Sequence, residues 1–197
     1  MGVPRACGGN QTIQLDAQTF LRLAEKAGEL GFLDIEATGL RGDYNSVLVV
    51  SVKRWGKRPV TYAVDRPGDD TSVVLAAKAD LDSLACWVTY YGKGYDVPML
   101  NTRLLAAGSP PLAQRHHVDM YYVLKFNLLT ARRSQGHLLL WAGTPEQKMG
   151  VSAEVWNKVL ADPKAWMPTM IRRCNSDTAG LQGLYTKTKH LIREIQR

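Results

Sequence analysis

No run of apolar residues approaches the roughly 18 that a membrane-spanning helix requires, so no membrane partner is expected. Cysteine is scarce: Cys7, Cys86 and Cys174 are odd in number and form no C-x-x-C pair. That scarcity argues against a disulfide framework and against a zinc site, and it suits a reducing cytoplasm. The opening MGVPRACGGN lacks the apolar core of a secretory signal, and Ala6 stands where a myristoylation pattern wants Ser or Thr. Repeats and low-complexity stretches are also missing. What is present is ordinary for a globular chain: 45% apolar and 22% charged residues over 197 positions. That length fits one domain, residues 1–197, with a full-sized core.

Charge of one sign is missing from part of the chain. Residues 1–119 balance 13 Lys and Arg against 13 Asp and Glu, whereas residues 120–197 hold 12 against 5. The whole net charge of +7 therefore lies in the last two-fifths. A one-sided basic surface attracts polyanions, nucleic acid being the commonest in the cytoplasm, and a merely solvated helical surface is the plainer alternative.

Periodicity predicts a helix over 16–29, a strand in GFLDIEATGL (31–40), and a hairpin of 46–55 and 59–65 joined at Gly56. A helix over 69–85, a strand over 86–91, a helix from Asp96 to Ala107 and a short strand over 116–121 follow. Helices over 120–128, 134–142, 151–161 and 165–195 complete the chain. This order predicts an α/β fold, a mixed five-stranded sheet flanked by helices with a helical C-terminal third.

Four carboxylates stand out. Side chains alternate along a strand, so Asp34 and Glu36 share a face with Phe32, about 7 Å apart. Two such charges on an apolar strand repel and lose solvation, which a divalent cation relieves and an open, wet sheet edge also relieves. In the last helix Met170, Cys174, Asp177, Leu181 and Leu184 run 4-3-4-3, placing an acid where an apolar residue is expected. Asp177 must then be protonated, bound to metal, or paired with Arg172 or Arg173. Asp96 begins a helix, where capping alone explains an aspartate. Hard oxygen ligands without a Cys/His cluster select Mg²⁺ or Mn²⁺, and two such ions can cleave a phosphodiester.

FLDIEATGL (32–40), YYGKGYDVPML (90–100) and RRCNSDTAGLQGLY (172–185) resemble, in order, the three motifs of the DEDD superfamily of 3′–5′ exonucleases. The resemblance spans about residues 31–185, with HHVDMYYVLK (116–125) similar to the strand that precedes the helical region. It is nearest to the phage and bacterial predicted exonucleases within that superfamily. It implies a ribonuclease H-like fold and a two-ion site on Asp34, Glu36, Asp96 and Asp177, with Asp119 structural. The turn Thr38-Gly39-Leu40 would meet the terminal nucleotide. Two positions depart from the pattern. Tyr91 stands where the second motif usually has Asn, and Arg173 and Arg172 stand where the third has Tyr or His. An arginine stays protonated and cannot act as a base, so Arg173 is assigned to holding the scissile phosphate.

For the substrate, Lys93 between two glycines, Tyr95, and Arg132 with Arg133 ahead of a helix are the candidate contacts. Tyr90, Tyr91 and Trp141 are aromatic candidates that core packing also explains, and His116 with His117 makes a poor metal site. The expected function is removal of nucleotides from the 3′ end of single-stranded nucleic acid, DNA ahead of RNA. A non-catalytic nucleic-acid-binding module and a metal-dependent endonuclease are the alternatives.

Overall fold

A computed structural model describes residues 15–146, 148–150 and 152–195. Cys7 and the N-terminal segment read for targeting signals lie outside the described residues. The elements run α1 (Ala17–Ala27), β1 (Leu30–Ala37), β2 (Val47–Arg54), β3 (Val60–Ala63), α2 (Thr71–Asp82), β4 (Cys86–Thr89) and α3 (Asp96–Ala106). Then come β5 (His116–Asp119), α4 (Met120–Asn127), α5 (Gln135–Ala142), α6 (Ala153–Ala161) and α7 (Pro163–Thr188). A 3₁₀ turn, Lys189–Leu191, closes the series. The predicted α/β architecture holds.

The five strands form one mixed sheet in the order β3-β2-β1-β4-β5. β1 is central, antiparallel to β2 and parallel to β4, so its backbone is hydrogen-bonded along both edges. Alternation divides its side chains between two layers. Leu33 and Ile35 pack with Leu48, Val50 and Val52 of β2 and with Val74, Ala77 and Leu81 of α2. Leu30 and Phe32 pack instead with Leu21 of α1, Leu138 of α5, and Leu181, Leu184 and Tyr185 of α7. Each leucine buried in this way contributes about 1.5–3 kcal/mol.

Element ends follow local chemistry. Asp16 caps α1 by accepting from the Thr19 amide at 3.0 Å, and Gly28 ends that helix in the left-handed region at φ 72°. The last helix is shorter than the predicted 165–195. The Gln18 amide takes the carbonyls of Lys189 and Ile192 at 2.9 and 2.7 Å, giving them partners outside a continued helix. Among the described residues, no helix is long and apolar enough to cross a membrane.

Candidate active site

The strand that carries the first two acids breaks its ladder where they lie. Asp34 pairs with Ser51 and Glu36 with Val49, and the register slips between Glu36 and Ala37. An irregularity of this kind bends the strand and re-aims its side chains. Asp34 and Glu36 sit on the α7 side of the sheet, as alternation predicts. Across from them α7 presents the 4-3-4-3 stripe, and every member, Met170, Cys174, Asp177, Leu181 and Leu184, is buried. One oxygen each from Asp34, Glu36 and Asp177 lies within 4.8 Å of the others. The Cys174 thiol donates to the Asp34 carbonyl at 3.3 Å, fastening helix to strand beside the acids.

Asp96 is not part of that trio. It is the first residue of α3, one past the N-cap position, which Tyr95 occupies, so it is not the capping residue. Its Oδ1 accepts from the Ile35 amide at 3.1 Å, which joins α3 to the strand between the two acids. It lines the same cleft, of about 980 Å³, and the charge of Asp34 acts on it.

Burial raises all four acids, and repulsion from neighbouring carboxylates adds to it at Asp34, Glu36 and Asp96. Asp34 is pushed up to about 7, chiefly by burial and then by the charge of Asp177. Glu36 is pushed up to about 8 by burial and by Asp34, with Arg173 pulling the other way. Burial lifts Asp96 well above the ordinary range, and it raises Asp177 against the opposing pull of Lys148. Asp34 as a whole is partly exposed, yet its Oδ2 is shut off from solvent and, like Oδ1 of Asp177, has no hydrogen-bond partner. Bare, buried carboxylate oxygens facing one another, with no nitrogen or sulfur ligand among them, fit a hard divalent cation.

Two cations already touch the acids. Arg173 Nε is 2.8 Å from Glu36 Oε1 without the alignment of a hydrogen bond, and its guanidinium lies 5.8 Å from the Trp156 ring centre. Of the two arginines weighed as partners for Asp177, Arg173 thus meets Glu36, while Arg172 bonds Thr169. The ion pair to Asp177 comes from Lys148, at 3.0 Å from Oδ2. Sequence reasoning missed this lysine. It lies between α5 and α6, where no periodicity marks it, and four crowded acids call for cations without saying which. Its stem crosses Gly136, where a Cβ would come within 3.3 Å of it. Gln135 braces the arrangement, accepting weakly from Lys148 at 3.4 Å and donating to the Asp177 carbonyl at 2.9 Å.

The predicted substrate contacts divide. Thr38, Gly39, Leu40 and Tyr95 line the cleft. Asn45 approaches Gly39 so closely that a Cβ would lie 2.4 Å from its Oδ1, and Tyr95 donates to the Gly39 carbonyl at 2.9 Å. Leu40 is 80% exposed at the mouth. Lys93, Arg132 and Arg133 do not line the cleft. The Lys93 amide is held by Asp119, and Arg132 and Arg133 are exposed just before Ser134 and Gln135, which do line it. Ser134 itself caps α5 by accepting from the His137 amide. The cleft also includes Trp156, Asn157 and Leu160 of α6, which carried no motif.

Asp119 is structural in form, accepting from the amides of Tyr91, Lys93 and Tyr121. His117 meets the Thr89 hydroxyl at 2.8 Å and His116 packs on Phe20, so neither joins the acids.

No curated protein sequence matches the chain. Among solved structures it resembles the family B DNA polymerase from the hyperthermophilic archaeon Pyrobaculum calidifontis, with a TM-score of 0.64 and 21% identity. The match covers 80% of this chain and 24% of that one, so the chain spans about a quarter of the polymerase, and the likeness is one of fold. A family model described as the RNase H superfamily matches residues 31–139, from the start of the acid-bearing strand into α5. With more than half its length matched, and with the mixed sheet and helices described above, the chain belongs to the RNase H superfamily.

Proposed function

We propose that the protein is a metal-dependent 3′–5′ exonuclease of the DEDD type, one domain acting on single-stranded nucleic acid, DNA ahead of RNA. The observation that carries this reading is the pair of bare, buried oxygens on Asp34 and Asp177 inside a three-acid cluster. Leaving such oxygens unpartnered costs several kcal/mol, which a cation recovers. Asp34, Glu36 and Asp177, with Asp96 beside them, would hold two Mg²⁺ or Mn²⁺ ions. When bound, such ions supply Lewis acidity to the phosphodiester and a deprotonated water near neutral pH.

The chain's own residues do the rest. Thr38, Gly39, Leu40 and Tyr95 would seat the terminal nucleotide, Leu40 against the base and the turn's backbone against the sugar. Arg173 would turn from Glu36 to the scissile phosphate, offsetting charge that develops in the transition state. It takes no proton, since a guanidinium stays charged. Lys148 holds Asp177 from the opposite side. The nucleic-acid substrate agrees with the basic C-terminal portion, where the entire net charge lies.

A second reading, a binding module without hydrolysis, has one observation in its favour: Lys148 and Arg173 already pair with two of the acids. One assay separates the readings. Single-stranded DNA and RNA labelled at the 5′ end are incubated with Mg²⁺ or Mn²⁺, alongside Asp34→Ala. A ladder shortening from the 3′ end, absent in the variant, supports the exonuclease. Internal cuts indicate an endonuclease, and strands that shift without being cut indicate the binder. For Arg173, unchanged turnover in Arg173→Ala rules out the phosphate role, and Arg173→Tyr tests whether the family's usual residue restores the reaction.

A further inference from the structure

Beside the cleft lies a strip of aromatic rings that the core does not use. Tyr91 lines the cleft and is 46% exposed. Among the described residues it is the sole non-glycine with positive φ, at 66°. Asp119 holds it there by accepting from its amide at 2.7 Å, and its ring lies over Gly94, where a Cβ would come within 2.7 Å of it. Left-handed backbone is strained at a tyrosine and persists only where its surroundings enforce it. The result is a ring presented at the cleft wall.

From that ring the strip continues outward. Tyr122 lies 6.2 Å from Tyr91 at an interplanar angle of 31°, and Tyr121 buttresses both edge-on at 5.0 and 5.2 Å. One turn further along α4, Lys125 stands 6.0 Å from the Tyr122 ring and 5.5 Å from that of Phe126. Phe126 is 77% exposed and so contributes little to the core. The Tyr90 hydroxyl donates to the Arg133 carbonyl at 2.5 Å, bringing the exposed Arg132 and Arg133 to the same edge. Residues 120–145 contain Lys125, Arg132 and Arg133 and not one Asp or Glu.

We infer that this strip, Tyr91, Tyr122, Lys125 and Phe126, is a stacking track for the bases that follow the terminal nucleotide along a single strand. Aromatic faces alternating with cations and free of acids match the chemistry of an unpaired strand, whose bases stack while its phosphates meet positive charge. The track runs on from the cleft without a break, since Tyr91 belongs to both. A duplex has its bases stacked on each other and gains nothing from such rings. The inference rests on the cleft being a nucleic-acid site, and it adds where the strand leaves.

Fluorescence anisotropy in EDTA measures binding without cleavage, using a labelled dT2, a labelled dT10 and a duplex. Stacking by each base corresponds to about a five- to hundredfold change in affinity. Phe126→Ala and Tyr122→Ala should each weaken dT10 by a factor in that range and leave dT2 unchanged; the duplex should bind weakly to every form. Because Phe126 is mostly exposed, Phe126→Ala keeps the fold, and circular dichroism checks both variants. If the wild-type chain binds dT10 and both variants match it, the track is wrong while the nuclease reading stands. Unchanged dT10 binding together with lost self-association in light scattering assigns the strip to a protein contact and overturns the inference. If the wild-type chain binds no single strand, inference and reading fall together. Track-dependent binding without any cleavage in Mn²⁺ keeps the track and sinks the hydrolysis.

Discussion

Asp70 and Asp34 show two treatments of a buried acid within one fold. Asp70 is 1% exposed, and its Oδ2 accepts from the Val47 amide and from Arg103 Nε, both at 2.8 Å. Its Oδ1 accepts from Arg103 Nη2 at 2.9 Å, completing a two-pronged pair. Asp119, also buried, takes three backbone amides. On the α7 side of β1, by contrast, Asp34 and Asp177 each keep an oxygen with no donor at all. Burial raises both, repulsion by Asp177 adds to the rise at Asp34, and the nearby cations offset this only in part. A chain that supplies three aligned donors to Asp70 is not short of donors. Asp70 holds α3 to the start of β2, whereas on the proposed reading the cleft acids wait for a cation.

The strongest way to break that comparison is truncation. Asp34→Ala or Asp177→Ala should lower exonuclease turnover by about a thousandfold or more, with an unfolding midpoint unchanged or raised when no metal is present. Asp70→Ala should do the reverse, costing about 3 kcal/mol in urea unfolding because Arg103 is left beside a lost partner. A comparable destabilisation by Asp34→Ala would erase the distinction.

Acidity sharpens it next. Asp34 and Glu36 rise from ordinary values of 3.8 and 4.5 to about 7 and about 8 in the folded chain. The native state therefore holds protons that the unfolded state has released. Stability from these groups is fully present below about pH 4 and is lost as pH climbs through 7 to 8. In EDTA the melting temperature should fall across that window, less steeply in Asp34→Asn. The gain on adding Mg²⁺ should grow over the same range, and a metal effect independent of pH would contradict the assignment.

The smallest effect concerns Lys148. Its ammonium sits 3.0 Å from Asp177 Oδ2 and competes with any cation there. Lys148→Met should tighten Mn²⁺ binding about tenfold by calorimetry, roughly 1.4 kcal/mol, while lowering the metal-free melting temperature. Equal affinities would mean that the lysine stands clear of the ion.

Much of this was legible before the fold was known. Alternation put Asp34 and Glu36 on one face with Phe32, and the interrupted apolar stripe marked Asp177 as buried, because both patterns are local and repeat with the geometry of their element. What escaped was non-local. Asp70 stands near the start of the helix predicted over 69–85, and nothing nearby announces Arg103, 33 positions away. Asp96 reads as a helix cap, whereas its partner is an amide 61 positions earlier. Lys148 lies in an unpatterned connection, and its role follows from where a loop happens to pass. Arg132, Arg133 and Lys93, read from charge and neighbouring glycines as substrate contacts, do not line the cleft, and sequence alone does not say how far from the acids a phosphate-binding cation stands.

The central place of β1 in the sheet has a further consequence. At Gly31 and Phe32 it is paired with β2 on one edge and β4 on the other, so hydrogen exchange there requires opening most of the molecule. Asp34 and Glu36 stand just beyond that doubly paired stretch, so slow exchange reaches along the strand to the edge of the acid cluster.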